Sequence, residues 1–342
     1  MTVSIEKRNK GQFYTVTNPF CLNQFFRWYN EIPNIENETI LEPFAGSNNI
    51  INMIEIINLR QPKGWTSYDI EPPVINNSPD YKVNQRDTIK EFPTGYKIGI
   101  TNPPYLAKNS ATRRGLDFPD TEYDDLYKES LYQMLKNLEY VAAIIPESFL
   151  NADIFTERLD TVISLNLKMF EDTDCPVCLA LFVPEETDDT DVYRMDLKLG
   201  TLSELEEELY IFDVGEEEDS SIWKFNSPDG DIGALLVDNT ITESIHFVDG
   251  ESIPSEKIKG TSRSITRISG HEFNDKEDLE HFLNIANELV HRYRDKTQDV
   301  FMTPFKGLRK DGKYRRRLDF KTTRLLLTKS FEIYRGGKDG IC

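Results

Sequence analysis

Between Thr39 and Val183 short apolar runs alternate with stretches of helical periodicity, and this alternation leaves few folds open. Thr39 to Phe44 (TILEPF) reads as a strand that ends in a glycine-bearing turn at Gly46, followed by the helical run NIINMIEIINL. Trp65 to Ile70 (WTSYDI) is a second strand, broken by Pro72 and Pro73, and Lys97 to Thr101 (KIGIT) is a third, ending at Asn102. From Asp124 to Leu138 the apolar residues Leu126, Leu131, Met134, Leu135 and Leu138 recur at helical spacing, and Tyr140 to Ile145 (YVAAII) is the next strand. Val162–Lys168 and Val177–Val183 are joined by the short segment FEDTDCP, a length that predicts an antiparallel hairpin. The fold class is therefore α/β: a mostly parallel sheet with crossover helices and an antiparallel hairpin at its edge.

The 342 residues leave room for a second, smaller domain. After Pro184 the strand–helix alternation fades and an acidic stretch begins. We place the boundary near residue 190, giving a catalytic domain over 1–190 and an α+β domain over 191–342, with a helix over Asp275–Arg294. No run of about 18 apolar residues occurs, which excludes a membrane-spanning helix. The opening MTVSIEKRNKGQF has no apolar core of a secretory signal, so a cytoplasmic location is expected. Of Cys21, Cys175, Cys178 and Cys342 only the CPVC pair is close. With no second pair and no histidine at ligand spacing, reduced thiols and no metal site are expected.

The residues that carry chemistry fall at strand ends. Asn102-Pro103-Pro104-Tyr105 directly follows a predicted strand, at the carboxyl edge where ligands of open α/β sheets bind. The prolines stiffen the backbone and leave carbonyls free to accept. The Asn102 side-chain oxygen and the Pro103 carbonyl can together accept both hydrogens of a flat, conjugated amino group. That arrangement favours rehybridisation toward sp³ and frees the nitrogen lone pair for attack, while Tyr105 offers a ring face for stacking. The plain alternative is a proline-rich turn. Upstream, LEPFAGSNNI (Leu41 to Ile50) opens a helix with a tight turn that lets backbone approach a ligand. Asp69 ends the second strand, placed for a ribose hydroxyl pair, and Asp87 in QRDTIKEF is spaced for an adenine amino group. Alone, each aspartate is commonly a turn or cap residue.

The order KGQFYT, EPFAGSN, YDIEP, RDT, NPPY resembles the gamma-arrangement DNA adenine-N6 methyltransferases, over roughly residues 8 to 184. The resemblance implies a Rossmann-like methyltransferase sheet with S-adenosyl-L-methionine as cofactor. It implies that Thr15 and the Glu42–Gly46 loop, with Pro43, contact the cofactor, that Asp69 holds its ribose, and that Asp87 meets its adenine. Asn102, Pro103, Pro104 and Tyr105 are implied to receive the target base, with Phe170 as a second aromatic wall around the flipped adenine; the plain alternative for Phe170 is a core or loop residue. Double-stranded DNA is the implied substrate, read by the C-terminal domain. The implied role is that of a modification enzyme in a restriction–modification system, or of a stand-alone or phage enzyme; a cognate endonuclease would share the recognition sequence without being bound. One departure stands out: the family's second loop glycine is replaced here by Asn48, which tolerates positive φ better than other side chains.

Charge cuts against this reading. The net charge is −19, and Glu185–Ser220 alone holds fifteen acids and two bases. Thr303–Cys342, by contrast, holds twelve bases and four acids, so Lys306–Arg324 is the expected phosphate-contacting run. Three alternatives stay open: an RNA adenine methyltransferase, a glutamine methyltransferase using the same tetrapeptide, and a non-catalytic acidic regulatory protein. Release-factor glutamine enzymes carry a helical domain before the cofactor loop and little after the catalytic domain, the reverse of this layout.

Overall fold

Two aromatic-rich helical turns precede the first strand, and they show why this chain folds back on its own sheet. In α1 (Asn23–Glu31) the residues Gln24, Phe25, Trp28 and Tyr29 form one buried face, and the Trp28 indole donates to the Phe182 carbonyl at 3.0 Å. Burial of each such large ring contributes about 1.5–3 kcal/mol. The structure is a computed structural model and describes residues 18–165, 169, 175–214 and 220–336. The expected residues Thr15 and Phe170 lie outside these. The chain divides into two units, Met1–Leu202 and Ser203–Cys342.

In the first unit α1 is followed by β1 (Thr39–Glu42), α2 (Asn49–Glu55), β2 (Gly64–Asp69), β3 (Val83–Gln85) and β4 (Ile98–Thr101). Then come α3 (Lys108–Arg114), α4 (Leu126–Asn137), β5 (Tyr140–Pro146), β6 (Leu159–Leu165), β7 (Val177–Phe182), β8 (Asp191–Arg194) and β9 (Leu197–Thr201). Among the described residues these strands form a nine-stranded sheet in the order β3-β2-β1-β4-β5-β7-β6-β8-β9. The first five are mutually parallel, and β7 runs antiparallel between β5 and β6. The expected Rossmann-like α/β sheet with its antiparallel hairpin is what the chain forms. β4 and β7 are buried along their whole length, which is why they read as unbroken apolar runs.

Beyond the hairpin the sheet continues through β8, parallel to β6, and β9, antiparallel to β8. The expected boundary near 190 therefore differs from the division after Leu202. The composition shift that suggested it marks the connection into β8, where the sheet continues. Val192 is fully buried, while Asp191 is matched by Lys198 at 2.7 Å and Asp160 by Arg27 at 3.3 Å.

A short helix, α5 (Leu202–Glu207), precedes the second unit's strands β10 (Lys224–Phe225), β11 (Ile232–Leu235), β12 (His246–Asp249) and β13 (Ile265–Ser269). They form an antiparallel sheet in the order β10-β13-β11-β12. The helix α6 (Lys276–Thr297), the hairpin β14 (Thr303–Leu308) and β15 (Tyr314–Arg317), and the helix α7 (Phe320–Gly336) complete this α+β unit. α6 starts where the Asp275 carboxylate caps the Asp278 amide at 3.0 Å. Trp223 joins the sheet to both helices, stacked on Phe282 with centroids 5.9 Å apart and edge-on to Phe331. Among the described residues no helix is long and apolar enough to cross a membrane.

The basic run Lys306–Arg324, the expected phosphate-contacting run, is partly turned inward. Arg309 is buried and pairs with Asp238 at 3.1 Å and Asp311 at 2.8 Å. Arg316 is buried, and its amide donates to Asp238 Oδ2 at 3.0 Å. Arg294 completes the cluster against Asp238 at 2.8 Å and Asp299 at 2.9 Å. Acids scattered elsewhere in the unit turn part of the run inward, because a buried guanidinium needs a carboxylate beside it.

Candidate active site

Because β1 to β4 are parallel, their carboxyl ends share one edge, and the described candidate residues sit there. Glu42 ends β1, Asp69 ends β2, Asp87 follows β3 by two residues, and Asn102 follows β4 by one. β1 lies between β2 and β4, so the strand order reverses at this point and opens the crevice where ligands of such sheets bind.

The turn after β1 is built from left-handed backbone at Gly46 (φ 49°) and Asn48 (φ 57°). It folds back on the end of β2: the Ala45 amide donates to the Tyr68 carbonyl at 2.8 Å and the Gly46 amide to Asp69 Oδ2 at 3.0 Å. Asp69 Oδ1 accepts from the Glu71 amide at 2.8 Å. Asp69 thus joins the two loops. Asn48 takes up the left-handed conformation in place of glycine, and its side chain does more than tolerate the turn. It is fully buried, donating to Asn76 Oδ1 at 3.0 Å and to the Tyr81 carbonyl at 2.8 Å. The loop after β2 is thereby tied to the turn after β1.

Glu42 is fully buried. Its Oε1 accepts from the Thr101 hydroxyl and, at 3.1 Å, from the Phe44 amide, while Oε2 has no partner. Burial pushes this carboxyl up to about 8, against the hydrogen bonds from Thr101 and Phe44, so it is mostly neutral at pH 7. Pro43 is buried, and its carbonyl accepts from the Thr88 hydroxyl at 2.8 Å. Asp87 is half-buried, pairs with Lys90 at 3.1 Å and accepts the Lys90 amide at 3.2 Å. Gly46 and Asp69 are thus joined by a hydrogen bond, Glu42 is tied to the turn through the Phe44 amide, and Pro43 is tied to Thr88 beside Asp87.

The tetrapeptide is equally fixed. The Tyr105 hydroxyl lies 2.5 Å from Asn102 Oδ1 and 2.6 Å from the Ile144 carbonyl, and its ring meets Tyr127 edge-on at 6.4 Å. Burial holds the phenol well above its ordinary range, so it stays a donor. Past Tyr105 the Leu106 amide donates to Asp125 Oδ1 at 3.0 Å, and the Leu126 amide to the Leu106 carbonyl at 3.1 Å. Asp125 also caps α4; burial raises it to about 6. Sequence reasoning missed Thr88, Thr101 and Asp125 as supports. Thr88 stands inside the quoted RDT and Thr101 directly before Asn102, and that adjacency was the available signal.

Fold and site together define an α/β domain with a ligand crevice at the β1/β4 switch point. No family model matches this chain, and no curated protein matches it in sequence. Among solved structures it is similar to a type I restriction-modification system methyltransferase subunit from Streptococcus thermophilus, at 16% identity, over 53% of this chain and 47% of that one, TM-score 0.36. It is also similar to the type IIG restriction endonuclease BpuSI, at 16% identity over 62% and 30%, TM-score 0.39. A third is the type I restriction enzyme EcoKI M protein, at 13% identity over 54% and 48%, TM-score 0.36. This chain spans less than half the length of each.

Proposed function

We propose that this chain transfers a methyl group from S-adenosyl-L-methionine to the exocyclic amino group of adenine in DNA. The observation that carries the proposal is the pairing of two loops on adjacent strands: the Gly46 turn after β1 and Asn102 after β4, joined by the Glu42–Thr101 hydrogen bond. One loop is suited to hold a cofactor and the other to accept an amino group.

The cofactor fits the residues present. Left-handed backbone at Gly46 and Asn48 permits close approach, Asp69 stands at the end of β2 against the Gly46 turn, and Glu42 Oε2 is a buried polar atom without a partner. When bound, the cofactor supplies an electrophilic methyl on a sulfonium centre. Asn102 Oδ1 and the Pro103 carbonyl accept the two amino hydrogens of the base and direct its lone pair outward. Tyr105 donates toward Asn102 Oδ1 and so orients it toward the base. These groups act by position and hydrogen bonding rather than as nucleophiles. Phe170 is proposed as the second wall of the base site, Thr15 as a cofactor contact, and the second unit as the reader of the target sequence.

Long-read sequencing of DNA from cells expressing the chain tests this directly. Modified adenines in one sequence context are expected, and none with the Asn102→Ala variant. DNA without modified adenine, alongside methylated RNA from the same cells, would overturn the substrate assignment.

A further inference from the structure

We infer that a cavity in the second unit, between the loop carrying Arg263 and the junction of β15 with α7, holds a backbone phosphate of the nucleic-acid substrate. This rests on the DNA reading above; it singles out Arg317 within the basic run and adds Arg263, which lies outside it. The cavity measures about 440 Å³ and is bordered by Asn226, Arg263, Arg317, Asp319 and Phe320.

The two arginines carry the argument. The second unit holds ten arginines, and eight of them have partners. Arg294, Arg309 and Arg316 belong to the Asp238 cluster. Arg267, Arg315 and Arg324 donate to backbone carbonyls. Arg292 and Arg335 lie over the rings of Tyr210 and Phe331. Among the described residues Arg263 and Arg317 are the two arginines of this unit whose side chains have no hydrogen bond, ion pair or ring contact, and both border this one cavity. Acids outnumber bases by 59 to 40 in the chain, so an acid was available to most surface cations. Arg317 is also half-buried, and partial desolvation of a guanidinium is costly without a carboxylate paired to it.

The cavity is formed before any ligand arrives. Asn226 Nδ2 donates to the Gly260 carbonyl at 3.1 Å, and the Ser262 amide closes a turn on the Lys259 carbonyl at 2.8 Å. Phe320 is fixed by stacking on Phe225, with centroids 3.9 Å apart. The one acid at the rim, Asp319, is engaged elsewhere: its two oxygens accept from the Thr322 amide at 3.0 Å and hydroxyl at 2.8 Å, capping α7. Two arginines border one space, and planar guanidinium forks match the oxygens of a phosphate.

The test is duplex DNA binding by the full chain between about 50 and 200 mM salt, for the parent and for Arg263→Gln/Arg317→Gln. Each phosphate contact contributes about 0.9 to the salt slope, so the double variant should show a slope lower by nearly two and lose about tenfold less affinity across that range. Melting temperature and cofactor affinity should stay unchanged. Arg263→Gln alone sits on an exposed loop and should remove about one unit of slope even where the double variant folds poorly. An unchanged slope in a folded variant overturns the inference. So does stabilisation of the parent by inorganic phosphate combined with a parental slope in the variant, which would make the cavity a site for a free anion. A parent that binds duplex with this slope but transfers no methyl group would sink the methyltransferase reading and leave the cavity standing.

Discussion

The Tyr105 hydroxyl lies 2.5 Å from Asn102 Oδ1 and 2.6 Å from the Ile144 carbonyl, so one proton serves two acceptors. Whenever the proton faces Ile144, Asn102 loses the bond that aims its oxygen at the base. Tyr105→Phe keeps the ring and removes the proton. It should lower kcat about tenfold, the equivalent of one hydrogen bond of about 1.4 kcal/mol acting on the transition state, with KM for DNA nearly constant. Asn102→Ala should lower kcat about 100- to 1,000-fold with cofactor affinity retained. Steady-state kinetics beside cofactor titration separates the two. A Tyr105→Phe enzyme with parental kcat would show that Asn102 needs no orienting donor.

Glu42 predicts an unusual stability profile. Unfolded, the carboxyl titrates near 4.5; folded, burial moves it to about 8. Between those values the folded state keeps a proton that the unfolded chain releases. The contribution is complete below about pH 4.5 and is lost as pH rises through about 8, at up to about 1.4 kcal/mol per pH unit. Glu42→Gln has the same shape, can still accept from Thr101 and Phe44, and does not ionise. Denaturant melts from pH 5 to 9 should fall with pH for the parent and stay flatter for Glu42→Gln. Parallel curves would show that this carboxyl does not titrate in that range.

What the sequence disclosed about this site followed from periodicity and position. Glu42, Asp69 and Asn102 were legible because a period-two or unbroken apolar run ends at each, and parallel pairing then forces such ends onto one edge. Asn48 was legible only as a glycine substitute, since its partners Asn76 and Tyr81 lie in a loop without regular pattern. β8 and β9 were hidden because the acids from Glu185 to Asp191, which lead into β8, elsewhere mark a linker. The inward turn of Arg309 and Arg316 was hidden for a different reason. Asp238 lies 71 residues from Arg309 in the chain, and no local pattern announces so distant a partner.

The Asp238 cluster predicts where stability of the second unit resides. Asp238 is buried between Arg294 and Arg309. Burial works against its charge, yet the hydrogen bonds and charge of Arg294 hold its carboxyl below the ordinary range. Asp238→Ala leaves two buried guanidinium groups without this carboxylate and should cost about 3–5 kcal/mol, read by urea denaturation. The depressed carboxyl also fixes the pH sign: its contribution is present above the unfolded pKa and lost as pH falls through the folded one. Neutralising Arg316 should destabilise as well, whereas Arg263→Gln should not. Equal melts for Asp238→Ala and the parent would show the cluster to be energetically idle.

Asn48 separates a backbone requirement from a side-chain one. Its φ of 57° is left-handed, a conformation glycine adopts without penalty and alanine at about 1–2 kcal/mol. Its amide also holds the Asn76–Tyr81 segment, a tie that glycine and alanine both lack. Asn48→Gly should therefore keep the turn yet free the segment that flanks the cofactor loop. We expect S-adenosyl-L-methionine affinity to fall several-fold and amide exchange at residues 76–81 to quicken. Asn48→Ala should show the same loss of affinity and, in addition, a stability lower than that of Asn48→Gly by about 1 kcal/mol, the backbone strain alone. Calorimetric cofactor titration with thermal melts of both variants measures each part. If Asn48→Gly bound the cofactor as tightly as the parent, the side-chain tie would have no part in cofactor binding, and the left-handed turn would be the whole requirement at this position.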